Sequence, residues 1–405
     1  MLRRKKIKST RGALYYSKHK PGLQLRHSSF KKVSNALYTI STFLVLTVGL
    51  TVFFSTITDG VTVSSPDKTT PLVTADNKTG STPPQGVLAQ KNETKKQATQ
   101  GTASLNIASS ASIQPKPAWL NFPLYTDPTN SASQYAATNP TAEGVSYIRR
   151  MGKNPVAEWF GDWNVNVQND VNRYVSTAEA AGAVPIVVLY NIPLRDCGGY
   201  SIGGASGVPA YIQWVQKVVA GIGNRTAVVI VEPDALAALD CLPVAAQQDR
   251  VQSISQAVEL LKSLPKTSVY IDAGTPIWQP SKTMAARLKQ VNVSKADGFS
   301  LNISYFAPTN QNRQYGDALS SLVGYKHYVV DTSRNGGNNS VTGMQCNPSF
   351  ASLGESPTTN TGSALNDALL WIKIPWESDG ACNGSPDAGV GFWSYAVQLA
   401  QRAGW

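Results

Sequence analysis

The chain has 405 residues, 42% of them hydrophobic, and a formal net charge of +11 at pH 7, enough to bury one large core of roughly 250–300 residues with segments to spare. Of its three histidines only His327 lies beyond His19 and His27, so a Ser-His-Asp triad has one residue to draw on and a multi-histidine zinc site cannot be built. There is no GxxxxGK[ST] loop and no GxGxxG after a strand-like run, which removes the usual signals of phosphate and dinucleotide chemistry.

The surplus charge is local. Arg3, Arg4, Lys5, Lys6, Lys8, Arg11, Lys18, Lys20, Arg26, Lys31 and Lys32 form a basic tail over residues 1–32 that contains no acid, and the remainder is balanced at 25 basic against 25 acidic residues. A nucleic-acid partner is therefore not expected. Residues 33–58 carry no charge, and at about 1.5 Å per residue they reach across a bilayer of about 30 Å. A cleaved signal peptide would show a shorter apolar core, ~7–15 residues, with an A-x-A-like site close behind. The expectation is thus a transmembrane signal-anchor, with the basic tail in the cytoplasm. Residues 59–117 are rich in Thr, Ser, Pro and Gln and poor in aromatics, a composition that buries too little apolar surface to order itself. They read as a disordered linker holding a domain away from the membrane. All nine tryptophans follow it, which places the folded domain at 118–405. The expected location is the cell membrane with that domain outside the cytoplasm, or secretion if the anchor is cleaved.

All four cysteines, Cys197, Cys241, Cys346 and Cys382, fall in the domain. Export puts them in an oxidising compartment. Three pairings exist in principle; their order favours two local clamps, Cys197 with Cys241 and Cys346 with Cys382, each closing a loop of ~40 residues. Without CxxC spacing no metal site is expected.

Within the domain, apolar runs alternate with amphipathic stretches. Val156–Phe160, Val184–Tyr190, Ala227–Val231, Val269–Ile271, Phe299–Ile303, Tyr328–Val330 and Leu369–Ile374 read as strands. Val171–Ala181, Ala210–Gly221, Ala245–Leu264, Lys282–Gln290, Tyr315–Val323 and Val390–Arg402 read as helices. Strands that are continuous apolar runs belong to a parallel sheet buried on both faces, and seven of them suit an α/β barrel better than an open sheet. Carboxylates follow these strands: Asp196 after the second, Glu232 and Asp234 after the third, Asp272 at the fourth, Asp331 after the sixth, Glu377 and Asp379 after the seventh. In a parallel barrel such positions converge on the C-terminal rim, where active sites are built. Taken alone, a carboxylate in such a place is most simply a helix cap; the repetition argues for chemistry.

Hydrolysis of a glycosidic bond requires one carboxylic acid that is protonated at working pH and carboxylate charge nearby. Asp234 suits the acid, with Asp196 raising its pKa through like charge. Arg195 most simply forms a salt bridge with its neighbour Asp196. Trp278 and Trp371 are candidate sugar platforms, and Trp214 reads as core.

The segment from Tyr190 through Arg195-Asp196-Cys197 to Gly207, and Val229-Ile230-Val231-Glu232-Pro233-Asp234-Ala235-Leu236, resemble the two signatures of glycoside hydrolase family 6. The resemblance continues through Asp272-Ala273-Gly274, Leu301-Asn302-Ile303-Ser304, Asp331 to Gly336, Thr358 to Gly362 and Trp371-Ile372-Lys373, over almost the whole domain. It implies a distorted seven-stranded parallel (β/α) barrel and inverting hydrolysis of β-1,4-glucosidic bonds in cellulose or a related β-glucan. It needs no cofactor and no metal, and a monomer is expected. It further implies Asp234 as proton donor, Asp196 as the carboxylate that tunes the donor and organises water, and Asp379 at the position of the base. Tyr190, Arg195, Ser201, Asp272, Asn302, Lys373 and Glu377 are implied as substrate contacts. Short connections after the sixth and seventh strands favour an open cleft and internal cutting. The chain departs from the family at Thr275, in place of a histidine, and at Trp376, in place of a glycine. These departures imply an altered sugar or water contact and a reshaped floor or added stacking surface. They also support the alternative of a membrane-tethered glucan-binding protein that has lost turnover.

Overall fold

The computed structural model describes residues 113–337 and 345–405. Seven runs of β-branched and apolar residues become strands: β1 Glu158–Phe160, β2 Ile186–Leu189, β3 Ala227–Val231, β4 Thr267–Asp272, β5 Gly298–Leu301, β6 His327–Asp331 and β7 Asn366–Leu370. All pair in parallel and in sequence order. Among the described residues eight α-helices accompany them: α1 Ser131–Thr138, α2 Val145–Met151, α3 Val167–Ala180, α4 Val208–Ile222, α5 Val244–Lys262, α6 Ser281–Gln290, α7 Thr309–Leu322 and α8 Trp393–Arg402.

The period of two in a strand sorts its side chains. Ile186, Val188, Val228, Ile230, Tyr270, Val329, Ala368 and Leu370 fill the interior enclosed by the sheet. Their neighbours Val187, Leu189, Val229, Val231, Val269, Ile271, Phe299, Val330 and Leu369 pack outward against α3 to α7. Each such buried aliphatic contributes about 1.5–3 kcal/mol, so slipping a strand by one residue would exchange two well-packed faces at once. Helices α1, α2 and α8 cover a third cluster with Trp371, Ile374 and Trp376.

The pairing ladder runs from β1 to β7 and does not return. The gap is bridged by Ala157 N–H donating to Trp371 O at 3.1 Å and by the Trp159 indole donating to Ile372 O at 2.8 Å. Strand β7 ends at Leu370, and the apolar run Trp371–Ile374 continues as a buried irregular segment. Hydrophobicity alone reads that run as more strand. Helices α1 and α2 escape a periodicity reading because they are short and α1 buries only Ala132 and Ala136.

One expectation is corrected. Among the described residues no helix is long and apolar enough to cross a membrane. The stretch 33–58, on which the transmembrane signal-anchor was expected, lies outside the described residues, as does the linker as far as residue 112. The membrane helix, the membrane partner and the cell-membrane location are therefore not carried forward. Residues 113–117 are described, and Gln114 is tied to the lower end of the barrel.

That tie runs through a buried polar chain. A register shift between β6 and β7 leaves Asp367 as an extra residue between Asn366 and Ala368, turning its carboxylate inward. It accepts from the Tyr270 hydroxyl at 2.7 Å and meets His327 Nδ1 at 2.7 Å, while His327 Nε2 lies 2.8 Å from Gln114 O. The hydrogen bond with Asp367 raises the His327 pKa above 6.5 against the opposing effect of burial. Because the folded pKa lies above the unfolded one, this stabilisation is full below about pH 6.5 and is lost as pH rises through the folded value. His327→Gln is therefore expected to lower the melting temperature more at pH 5.5 than at pH 9, which calorimetry across that range checks.

Candidate active site

Every candidate carboxylate sits at the end of a strand or in the loop that follows it, at the C-terminal rim. After β3 the chain turns through Glu232 and Asp234 with φ of 50° and 69°, a left-handed conformation that costs a non-glycine residue about 1–3 kcal/mol. Side chains from neighbouring strands hold it there. Asp272, at the end of β4, accepts from the backbone N–H of Asp234 at 2.9 Å and of Gly274 at 3.1 Å. Glu232 reaches to the β2 end, accepting from Asn191 N–H and Ile192 N–H at 3.0 Å. The strain is opposed by the Asp272 contact on Asp234 N–H and by the Glu232 contacts on Asn191 and Ile192, and the Asp234 side chain is left facing the cleft.

After β2, Asp196 also has a left-handed backbone, φ 59°. Its carboxylate accepts from Ser201 N–H at 2.7 Å, and a Cβ at Gly199 would overlap it. Asp196 and Asp234, both half-buried, line one cavity of ≈ 250 Å³ together with Trp278 and Gln279. The Trp278 ring leans on Tyr305 at 5.5 Å. Burial pushes the Asp234 carboxyl well above its usual range, and the charges of Asp272, Asp196 and Asp379 push it further. Tyr190 stands beside this pair, its ring between the Trp159 edge at 5.1 Å and the Arg195 guanidinium at 4.8 Å.

Arg195 does not pair with its neighbour Asp196. It bridges to Asp162, which follows β1, at 2.9 Å, and donates to Tyr190 O at 2.7 Å and Ser201 O at 2.8 Å. It therefore shapes the loop around Asp196 and, at 5% exposure, has little surface to offer a sugar. Asp162 completes the arrangement by accepting from Gly204 N–H at 3.0 Å.

Across the cleft, Asp379 is gripped by the fully buried Arg334 through both carboxylate oxygens at 2.9 Å. Asn347 N–H adds a contact at 2.9 Å and Lys373 Nζ stands 3.8 Å away. Burial by itself would raise the Asp379 pKa, but Arg334 first and Lys373 second outweigh it and hold the carboxyl below its usual range. The Cys346–Cys382 disulfide closes the loop that presents Asn347, and Cys197–Cys241 joins the loops after β2 and β3. Lys373 lies buried and donates to Ser378 O at 3.2 Å. Half-buried Glu377 is pushed up to about 7 by burial, with Lys373 opposing.

Several expected contacts belong to the scaffold instead. Trp371 is 0% exposed, stacks on Trp405 at 5.8 Å and donates to Glu355 O, so it cannot meet a sugar. Asn302 is buried, with its amide divided among Asp331 O, Ala307 and Thr275. Asp272 has its oxygens committed to backbone N–H groups and the Ser300 hydroxyl, so only its structural role stands. Thr275 is fully buried against Asn302 and presents no surface of its own to the cleft. Trp376 is fully buried with its indole on Ser131 Oγ at 2.7 Å, so it adds no stacking surface. Conversely, Asp162, Tyr305 and Arg334 were missed as site-forming residues. All three obey the same rule that found the carboxylates, since each lies a few residues past the end of a strand: Asp162 after β1, Tyr305 after β5 and Arg334 after β6.

Comparison with known proteins places these features. Residues 117–403 match the family model described as Glycosyl hydrolases family 6. The chain is 42% identical over 284 residues to Endoglucanase 1 of Streptomyces halstedii, covering 68% of this chain and 85% of that protein. It is 43% identical over 287 residues to Endoglucanase A of Cellulomonas fimi, covering 70% of this chain and 62%, less than two thirds, of that protein. The solved structure of the endoglucanase Cel6 from Mycobacterium tuberculosis, in complex with methyl-cellobiosyl-4-deoxy-4-thio-β-D-cellobioside, superposes with a TM-score of 0.67 at 42% identity. That match covers 70% of this chain and 98% of that one.

Proposed function

Since this chain belongs to glycosyl hydrolases family 6, it is a glycoside hydrolase that cleaves β-1,4-glucan with inversion, and we propose that it cuts inside the glucan chain with Asp234 as general acid. The observation that carries the assignment is the placement of Asp234. It is a half-buried carboxyl with a strongly raised pKa, held by its own backbone at the wall of a cavity that also contains Asp196 and Trp278. Internal cutting is supported by the two bacterial relatives and the mycobacterial structure, each of which is named an endoglucanase.

The proposed sequence of events needs no covalent intermediate. Trp278 offers an apolar face to a sugar ring, while half-buried Glu377, with the charge of Lys373 beside it, faces hydroxyls on the other side. Asp234 gives its proton to the glycosidic oxygen as the bond to the anomeric carbon breaks. A water attacks that carbon from the opposite face, so the configuration inverts. Asp196, fixed by Ser201 N–H, orients that water and takes up its released proton through an intervening water. Asp379 is held ionised and weakly basic, because Arg334 and Lys373 stabilise its charge. It fits a fixed counter-charge for those two cations better than the direct base.

Polarimetry of soluble cello-oligosaccharide hydrolysis by the full chain tests the reading, with the viscosity of carboxymethylcellulose followed against reducing ends. Release of the α-anomer with an early fall in viscosity is expected. The β-anomer as first product, or oligosaccharide binding without turnover, would overturn it.

A further inference from the structure

Arg250 lies on α5, in the outer layer, at 3% exposure. Among the described residues no carboxylate pairs with it, and its Nε has no hydrogen-bond partner. Its remaining donors are directed at carbonyls: Leu194 O at 2.7 Å and Pro193 O at 3.1 Å after β2, and Ala235 O at 3.3 Å after β3. A buried cation whose close hydrogen bonds go to carbonyls, with no carboxylate in direct contact, is costly compared with a well-packed apolar side chain. Such a residue is informative for what its geometry accomplishes.

Leu194 precedes Asp196 by two positions and Ala235 follows Asp234 directly. One guanidinium therefore grips both of the loops that carry the two cleft carboxyls, and it forms part of the wall of the same cavity. The Cys197–Cys241 disulfide joins those loops a second time, and Arg250 Nη1 lies 4.0 Å from Cys197 Sγ. Arg287, from α6, secures the far side of the second loop through Leu236 O at 2.8 Å and Ala237 O at 3.0 Å, but does not reach the first.

We propose that Arg250 is a positioning residue for the reaction: by binding the carbonyls of both loops it sets the spacing and mutual orientation of Asp196 and Asp234. The proposal rests on the acid role assigned to Asp234. The groups whose charge acts on Asp234 are Asp272, Asp196 and Asp379, with the Tyr190 and Tyr305 hydroxyls close by; Glu232 acts on Arg250 itself. Asp272 is fixed by its own strand, so Asp196 is the neighbour whose distance the clamp controls. Like charge raises the pKa of an acid. Letting the two loops drift apart therefore lowers the pH at which Asp234 loses its proton and moves the basic limb of kcat to lower pH.

The test compares the full chain with Arg250→Lys, which keeps the charge but cannot span the three carbonyls. Both backgrounds are measured, with the disulfide intact and with Cys197→Ser/Cys241→Ser. A misplacement near 1 Å costs roughly 10²-fold in rate. Arg250→Lys is thus expected to lose up to about that in kcat, with little change in KM and a basic limb moved acidward, in the direction set by the reference variant Asp196→Asn. Removing the disulfide as well should multiply the loss beyond the product of the separate effects, because the two restraints act on one coordinate. An unchanged pH profile, or a kcat loss that tracks only a lowered melting temperature, would overturn the clamp. If Arg250→Lys does not fold, Arg250→Gln, which can bond one loop but not both, decides it on kcat: a loss with KM and melting temperature near wild type supports the clamp and an unchanged kcat overturns it, the pH limb being set aside because loss of the cation by itself moves it the other way. Asp234→Ala separates the two failures: full activity there refutes the acid assignment, whereas an inactive Asp234→Ala beside an unaffected Arg250→Lys refutes only the clamp.

Discussion

Replacing Asp234 by alanine is expected to lower kcat on cello-oligosaccharides by roughly 10²–10⁴-fold, with KM nearly unchanged. The side chain contributes to the transition state by moving a proton onto an oxygen that is a poor leaving group without it. An activated aryl glycoside, whose phenol departs as the anion, should therefore lose much less. The pH profile supplies a second reading. Asp234 is active in its protonated form and its pKa is raised, so wild-type activity falls as pH climbs through that raised value; the variant should lack this limb. A variant that merely misfolds would lose both substrate classes equally and would also lose oligosaccharide binding. A fall of less than about tenfold on cello-oligosaccharides, or an unaltered basic limb, would mean that another carboxyl is the donor.

The second large effect concerns stability. Arg334→Leu is expected to cost about 3–5 kcal/mol of unfolding free energy, because it strands a carboxylate in a pocket built around a guanidinium. Asp379→Asn should cost a comparable amount by leaving the fully buried Arg334 beside Lys373 without a compensating charge. The variant Arg334→Leu/Asp379→Leu should cost less than the two losses added together, since removing both charges removes both desolvation penalties. The direction with pH follows from the depressed Asp379 pKa. A folded pKa below the unfolded one gives stabilisation that is present above about pH 3.8 and is lost as pH falls through the folded value. The difference between wild type and Asp379→Asn in urea should therefore shrink on acidification below pH 4. A loss of activity on removing Asp379 cannot by itself identify a base. Equal stabilities of wild type and Asp379→Asn, with a large fall in kcat, would return the base role to this residue.

Much of this was legible because the informative patterns are local. The continuous apolar run Ala227–Val231 is a strand buried on both faces wherever it is placed, and Glu232-Pro233-Asp234 then has to leave the sheet at its C-terminal edge. The same logic located Asp196, Asp272 and Asp379, while the cysteine order suggested the two loops that the disulfides close. The reading went astray where a residue's neighbours decide its role. Trp371 and Asn302 follow strands just as Asp234 follows β3, yet both are fully buried, Trp371 under α1, α2 and α8 and Asn302 in the turn after β5. Arg195 sits beside Asp196 in the chain, but the loop directs its guanidinium to Asp162, 33 positions earlier.

By itself the sequence determined the number and order of the strands, the parallel sheet that follows from apolar runs alternating with helices, the family and the acid candidate. These depend on periodicity and on short motifs, whose physics is settled within a few residues. Only the tertiary structure decided that, among the described residues, one backbone hydrogen bond and an indole bridge the gap between β1 and β7, that Arg334 ahead of Lys373 holds Asp379 ionised, and that Arg250 joins the two loops of the cleft. These contacts join positions tens to hundreds of residues apart. Their energies depend on burial and on which acceptors happen to face a buried cation, and a linear pattern does not encode those quantities.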